Sequence, residues 1–114
     1  RAAAEFLRVR HPRAGIELEL SDSYANIADA VTNENRRGID CLYQALEETG
    51  VEAKTKAMRG GTDGSYLSVK GVLTPNYFTG AHNFHSNCEF LPMSSWEKSL
   101  GVTLKLMEIV ARGE

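Results

Sequence analysis

From Thr32 onward the hydrophobic period switches between helix and strand, and this alternation limits the fold more than any single motif. Residues 32–49 predict a helix that starts at a capping Thr32 or Asn33 and ends at Gly50. Its apolar face is expected to hold Ile39, Leu42, Tyr43 and Leu46. Residues 51–58 read as a strand, 65–70 as a short helix closed by Gly71, and 73–78 as a second strand with Pro75 at its edge. The last helix carries the clearest signal. Ser94 and Glu97 have the spacing of a capping box. Trp96, Leu100, Leu104, Met107 and Val110 then recur at helical spacing, as a core-facing stripe would. The order helix, strand, helix, strand, helix is that of an α/β fold whose parallel sheet is covered by helices.

The first 31 residues are organised differently. Residues 2–9 predict a short helix, and His11-Pro12-Arg13-Ala14-Gly15 breaks it. Ile16-Glu17-Leu18-Glu19-Leu20 alternates strictly, as a half-exposed strand does. A polar connection follows, with a helical turn expected at Ala25-Asn26-Ile27.

A chain of 114 residues has room for one small domain with a modest core. Its net charge of -2 speaks against nucleic acid or an anionic membrane as the main partner. No apolar run approaches a membrane span. The apolar start Ala2-Ala3-Ala4 is interrupted by Glu5, so no secretion leader is expected there. Cys41 and Cys88 read as reduced thiols of a cytosolic protein, with Cys41 a small packing residue.

Two loops carry chemistry-bearing side chains. Arg59-Gly60-Gly61-Thr62-Asp63-Gly64 sits between a predicted strand and a helix. Its glycines let the backbone approach a ligand, free amides at a helix start attract anions, and Arg59 offers a fork of donors to a carboxylate or phosphate. The Gly-Lys-Ser/Thr ending of a phosphate-binding loop is missing. Taken alone, the turn is better read as a tight turn in which Asp63 or Thr62 caps the helix. The second loop follows a strand and offers His82, His85, Cys88 and Glu89, all possible zinc donors. Their spacing matches no complete zinc motif, so spacing alone favours a structural or surface role for both histidines.

Read together, the two loops resemble a known family. Met58-Arg59-Gly60-Gly61-Thr62-Asp63-Gly64-Ser65-Tyr66-Leu67-Ser68, then Leu73-Thr74-Pro75-Asn76-Tyr77-Phe78-Thr79-Gly80, then His82-Asn83-Phe84-His85 and Glu89-Phe90, resemble the C-terminal end of the peptidase T family of zinc exopeptidases. Asp22-Ser23-Tyr24-Ala25-Asn26-Ile27 is similar to that family's return from its lid domain. Carboxypeptidase G and the aminoacylases share the zinc plan without the full wording. Ala81, Ser86, Asn87 and Cys88 depart from the usual pattern.

The resemblance implies that residues 21–114 form the C-terminal part of a catalytic α/β domain and residues 1–20 the end of a lid and dimerisation domain. It implies a cytoplasmic tripeptide aminopeptidase with two zinc ions, working as a homodimer, most of whose site comes from an N-terminal part. Here it assigns His85 to zinc, in preference to His82, and Arg59, Gly60, Gly61, Thr62, Asp63 and Gly64 to the substrate pocket. It assigns no general base to this chain. A related zinc exopeptidase or amidohydrolase, or a non-catalytic binding module of the same fold, are the alternatives.

Overall fold

The computed structural model describes residues 2–58 and 60–113. The helices are α1 (Ala2–Arg10), α2 (Arg37–Glu48), α3 (Asp63–Val69) and α4 (Met93–Arg112), with a 3-10 turn at Ile27–Ala30. No helix is long and apolar enough to cross a membrane among the described residues.

The core lies between α2 and α4. It holds Cys41, Leu42, Ala45 and Leu46 from α2 and Val102 and Ile109 from α4, with Val51, Phe78 and Leu106 packed at its margin. Cys41 is therefore the packing residue expected, and its thiol is free. The small side chains of Cys41 and Ala45 let α4 approach closely, and the β-branched Val102 and Ile109 fill the gap. Lys105 ties the pair at one edge, with its Nζ 3.5 Å from a Glu48 carboxylate oxygen.

Helix α2 ends as the sequence predicts. Gly50 takes the left-handed conformation, with φ 69°. Its N–H donates to Glu47 O at 3.0 Å, and the Val51 N–H donates to Leu46 O at 2.8 Å. This is the double closure of a Schellman motif, and it delivers Val51 to the core.

Several expectations are corrected. Helix α2 begins at Arg37, because Thr32 and Asn35 close a separate turn: the Thr32 N–H donates to Asn35 Oδ1 at 2.8 Å. Helix α4 begins at Met93 after Pro92, whose carbonyl accepts the first helical bonds from Ser95 and Trp96, so Ser94 lies inside the helix and caps nothing. The stripe Trp96, Leu100, Leu104, Met107 and Val110 faces outward, with Trp96 46% and Met107 64% exposed. Helix α4 carries two apolar faces, and α2 takes the narrower one, through Val102, Leu106 and Ile109.

The parallel sheet is not formed among the described residues. Residues 16–20, 51–58 and 73–78 belong to no ladder, and the one pairing recorded is an isolated antiparallel bridge between His82 and Phe90. A strand exists only through its neighbours, and these three segments do not pair with one another. Helix α1 forms from good helix formers, with Glu5 in its first turn and Arg8 and Arg10 in its last. It buries no residue and packs on no other helix. The radius of gyration, 20.2 Å, exceeds the roughly 13 Å of a compact chain this long, so the elements do not close around one shared core.

Candidate functional site

The glycine turn is built against the segment that carries the upstream motif. Helix α3 packs on the 3-10 turn. The phenol of Tyr24 lies so close to Gly61 that a Cβ there would overlap its hydroxyl oxygen and the adjoining ring edge. A Cβ on Gly64 would collide with the Thr74 carbonyl. Both glycines are thus required for close approach. Their φ values are not the cause, since neither lies in the left-handed region. Arg59 lies outside the described residues.

Hydroxyls knit the turn to the segment beyond α3. Ser65 Oγ accepts the Thr62 N–H at 3.4 Å, as a helix-start partner does. Asn76 Nδ2 donates to Thr62 Oγ1 at 3.0 Å. The buried Ser68 hydroxyl donates to Gly64 O at 2.6 Å and accepts the Thr74 N–H at 3.0 Å. Thr62, Gly64, Thr74 and Asn76 are therefore joined through side-chain hydrogen bonds. Asn76 and Ser68 were not foreseen as supports, although a Ser four residues after a glycine in a short helix is a visible signal for a back-bond to its carbonyl.

The histidine loop is anchored at the start of α4. Gly80, with φ 83°, sits against Ser95, whose Cβ would occupy the space of any side chain at 80. His82 and Phe90 exchange backbone hydrogen bonds of 2.9 and 3.3 Å, and their rings stack 5.2 Å apart at 18°. Between them the chain turns sharply through Asn83 and His85, with φ 56° and 62°. Single left-handed residues cost an L-amino acid about 1–2 kcal/mol, and Asn and His tolerate them better than most. The loop offsets this with its own bonds. Ser86 Oγ donates to Asn83 O at 2.7 Å and accepts the Cys88 N–H at 3.2 Å. Asn83 Nδ2 donates to Cys88 O at 3.2 Å. The His85 N–H donates to a Glu89 carboxylate oxygen at 2.8 Å.

The two histidines thus differ. The His82 ring stacks on Phe90, and its nitrogens make no hydrogen bond among the described residues. The His85 imidazole is exposed and makes no hydrogen bond among the described residues; only its backbone N–H is engaged. Its chemistry fits a single metal ligand. Among the described residues no three His, Cys, Asp or Glu side chains come together as a group able to hold a metal ion. The described donors thus do not gather in the threes or fours that a zinc site needs.

One segment links both loops. Thr74 and Asn76 hold the α3 unit. Tyr77 then meets Thr103, and Ser99 Oγ donates to Phe78 O at 2.9 Å, which fastens the chain to α4 just before Gly80. No hydrogen bond or ion pair joins the glycine turn to His85 among the described residues.

No family model matches the chain, and no solved structure does. Curated proteins do. A peptidase T-like protein of Rhizobium meliloti is 46% identical over 110 residues, 96% of this chain and 27% of its own length. A peptidase T-like protein of Yersinia pestis is 51% identical over 94 residues, 82% of this chain and 23% of its own. The peptidase T of Halothermothrix orenii is 40% identical over 108 residues, 95% and 26% respectively. The chain thus spans about a quarter of the length of these relatives. At this identity over almost every residue, the chain belongs with the C-terminal portion of the peptidase T family.

Proposed function

We propose that this chain is the closing part of the catalytic domain of a zinc-dependent aminopeptidase that removes the N-terminal residue of tripeptides, and that His85 supplies one zinc ligand. The observation that carries this reading is a difference in ring contacts: the His82 ring is stacked on Phe90, and the His85 ring has no ring contact or hydrogen bond among the described residues. The peptidase names of the relatives support the reaction class.

Bound zinc would polarise the scissile carbonyl and lower the pKa of its water. What this chain does is narrower. His85 presents an imidazole nitrogen from a turn closed by the loop's own hydrogen bonds. Gly60, Gly61, Thr62, Asp63 and Gly64 shape one wall of the substrate pocket, held by Tyr24, Thr74 and Asn76. Arg59 receives a substrate carboxylate. The bridging carboxylate, the general base and the second zinc's ligands come from the part of the family that this chain does not span. That part also supplies the neighbours that turn 51–58 and 73–78 into strands of a parallel sheet, and it covers the outward stripe of α4. Residues 1–20 close a lid through which a cytoplasmic homodimer forms.

The test is metal analysis of His85→Ala and His82→Ala in the protein extended to the length of its relatives. Zinc should be lost with His85→Ala and kept with His82→Ala. Equal loss in both, or loss with His82→Ala alone, overturns the assignment. Arg59→Lys should raise KM for tripeptides more than for their carboxyl-amidated analogues; equal effects would remove Arg59 from substrate binding.

A further inference from the structure

Glu89 lies four residues beyond His85, and it is fixed from both sides. Its own N–H donates to Ser86 O at 3.1 Å. The next residue, Phe90, is held by the bridge and the ring stack to His82. With its backbone set in this way, one carboxylate oxygen accepts the His85 N–H at 2.8 Å. That hydrogen bond is charge-assisted, and Glu89 is the one carboxylate in the sequence of the 82–90 loop.

The bond falls on one of the two residues of the loop with positive φ. His85 has φ 62°, and that angle sets the direction of its Cα–Cβ bond, from which the χ1 rotamers then place the imidazole. An acceptor held opposite the His85 N–H stabilises this conformation over the ordinary ones that would turn the ring elsewhere. We infer that Glu89 is a positioning residue for the zinc ligand: its carboxylate clamps the His85 amide and so aims the imidazole, without itself binding the metal. This rests on the reading of His85 as a ligand. It adds a role for a side chain that the donor chemistry alone would have counted as a rival ligand.

Two measurements test it together. In the 114-residue chain, amide exchange at His85 should quicken on the order of tenfold in Glu89→Ala and stay near the original in Glu89→Gln, which keeps an acceptor oxygen. The His82 and Phe90 amides should hold in both, which shows the loop still folded. In the protein extended to the length of its relatives, zinc affinity should fall about 10–100-fold in Glu89→Ala and only a few-fold in Glu89→Gln. If Glu89→Ala unfolds the loop, Glu89→Asp replaces it; the charge stays but the reach shortens, and affinity should still fall. Equal zinc loss in Glu89→Gln and Glu89→Ala would make Glu89 a ligand and overturn the proposal. Unchanged zinc affinity in Glu89→Ala, or in Glu89→Asp where that replaces it, while His85→Ala loses the metal, would overturn it alone. Full zinc retention in His85→Ala would show that the reading of His85 had failed, and the positioning role would fall with it.

Discussion

The rings of His82 and Phe90 stack 5.2 Å apart, on two residues that also exchange backbone hydrogen bonds, so His82 is a strut at the neck of the loop. An aromatic pair of this kind is worth about 0.5–1.5 kcal/mol beyond its buried area. His82→Ala should therefore lower stability by about that amount, and His82→Phe should restore it. His85→Ala, which removes an exposed ring without partners, should change stability little. Thermal unfolding of the three variants checks this; a larger loss from His85→Ala than from His82→Ala would contradict the assignment of the strut.

Gly61 and Gly64 predict a graded pair of defects. A side chain on Gly64 meets the Thr74 carbonyl, which is backbone held by Ser68. A side chain on Gly61 meets the Tyr24 ring, which can swing away. Overpacking of this sort costs roughly 1–3 kcal/mol. Gly64→Ala should sit at the upper end and Gly61→Ala lower. Tyr24→Ala should rescue Gly61→Ala and leave Gly64→Ala unaided. Denaturant midpoints of the singles and doubles decide it, and rescue of both glycine variants would show that Tyr24 is not the specific obstacle.

The cluster on the α4 surface sets a pH dependence whose sign can be worked out. The hydrogen bond from Lys105, then the charges of Arg112 and Lys105, hold the Glu108 carboxyl below its ordinary value of 4.5. A depressed carboxyl stabilises the fold above its unfolded value, and that contribution is lost as pH falls through the folded one. Lys105 is raised above 10.5, chiefly by its hydrogen bond to Glu108. Its contribution is complete below that value and is lost as pH rises through the folded one. Glu108 and Arg112 are exposed and Lys105 is half-buried at the surface, so the effect is small and screened by salt. Glu108→Gln should flatten the acid limb of the unfolding midpoint below about pH 4.5 at low ionic strength. The difference from the parent should shrink at about 1 M salt, where the screening length is near 3 Å. An acid limb unchanged by the substitution would remove Glu108 from the pH response.

Local signals were legible where their partners lie close in sequence. Gly50 stops α2, Gly71 closes α3 with φ 93°, and Cys41 packs, all as the sequence predicts. The ends of helices that depend on longer-range geometry were not. Ser94 and Glu97 have capping spacing, but Pro92 starts the helix before Ser94 can act. The face of α4 could not be read from period alone, because Trp96, Leu100 and Leu104 compete with Val102, Leu106 and Ile109 for the same helix. The choice was made by Cys41 and Ala45, on another helix. Strands were the least legible, since 51–58 and 73–78 have strand composition and no ladder among the described residues. The stack of His82 on Phe90 and the positive φ angles of Asn83 and His85 were not legible either, because spacing encodes neither a ring stack nor a backbone angle.

The chain by itself should hydrolyse no tripeptide. A zinc site needs three or four ligands in a set geometry, and the described residues bring no three donors together. His85 alone would bind zinc weakly, without a positioned water or a base to take its proton. The helical pair α2 and α4 should still form, since its core is local to those helices and 51–58 contributes only Val51. The outward stripe of α4 should then remain wet, with Trp96 reporting on it. Mixing with a separately made N-terminal part, as long as the stretch of the relatives that this chain does not span, should do two things at once. Trp96 emission should shift to the blue as the stripe is covered, and zinc-dependent tripeptide hydrolysis should appear. His85→Ala should keep the shift and lose the hydrolysis, which separates docking from catalysis. Hydrolysis by the purified chain alone, abolished by His85→Ala, would mean that a complete site lies within these 114 residues and that the split-site reading is wrong.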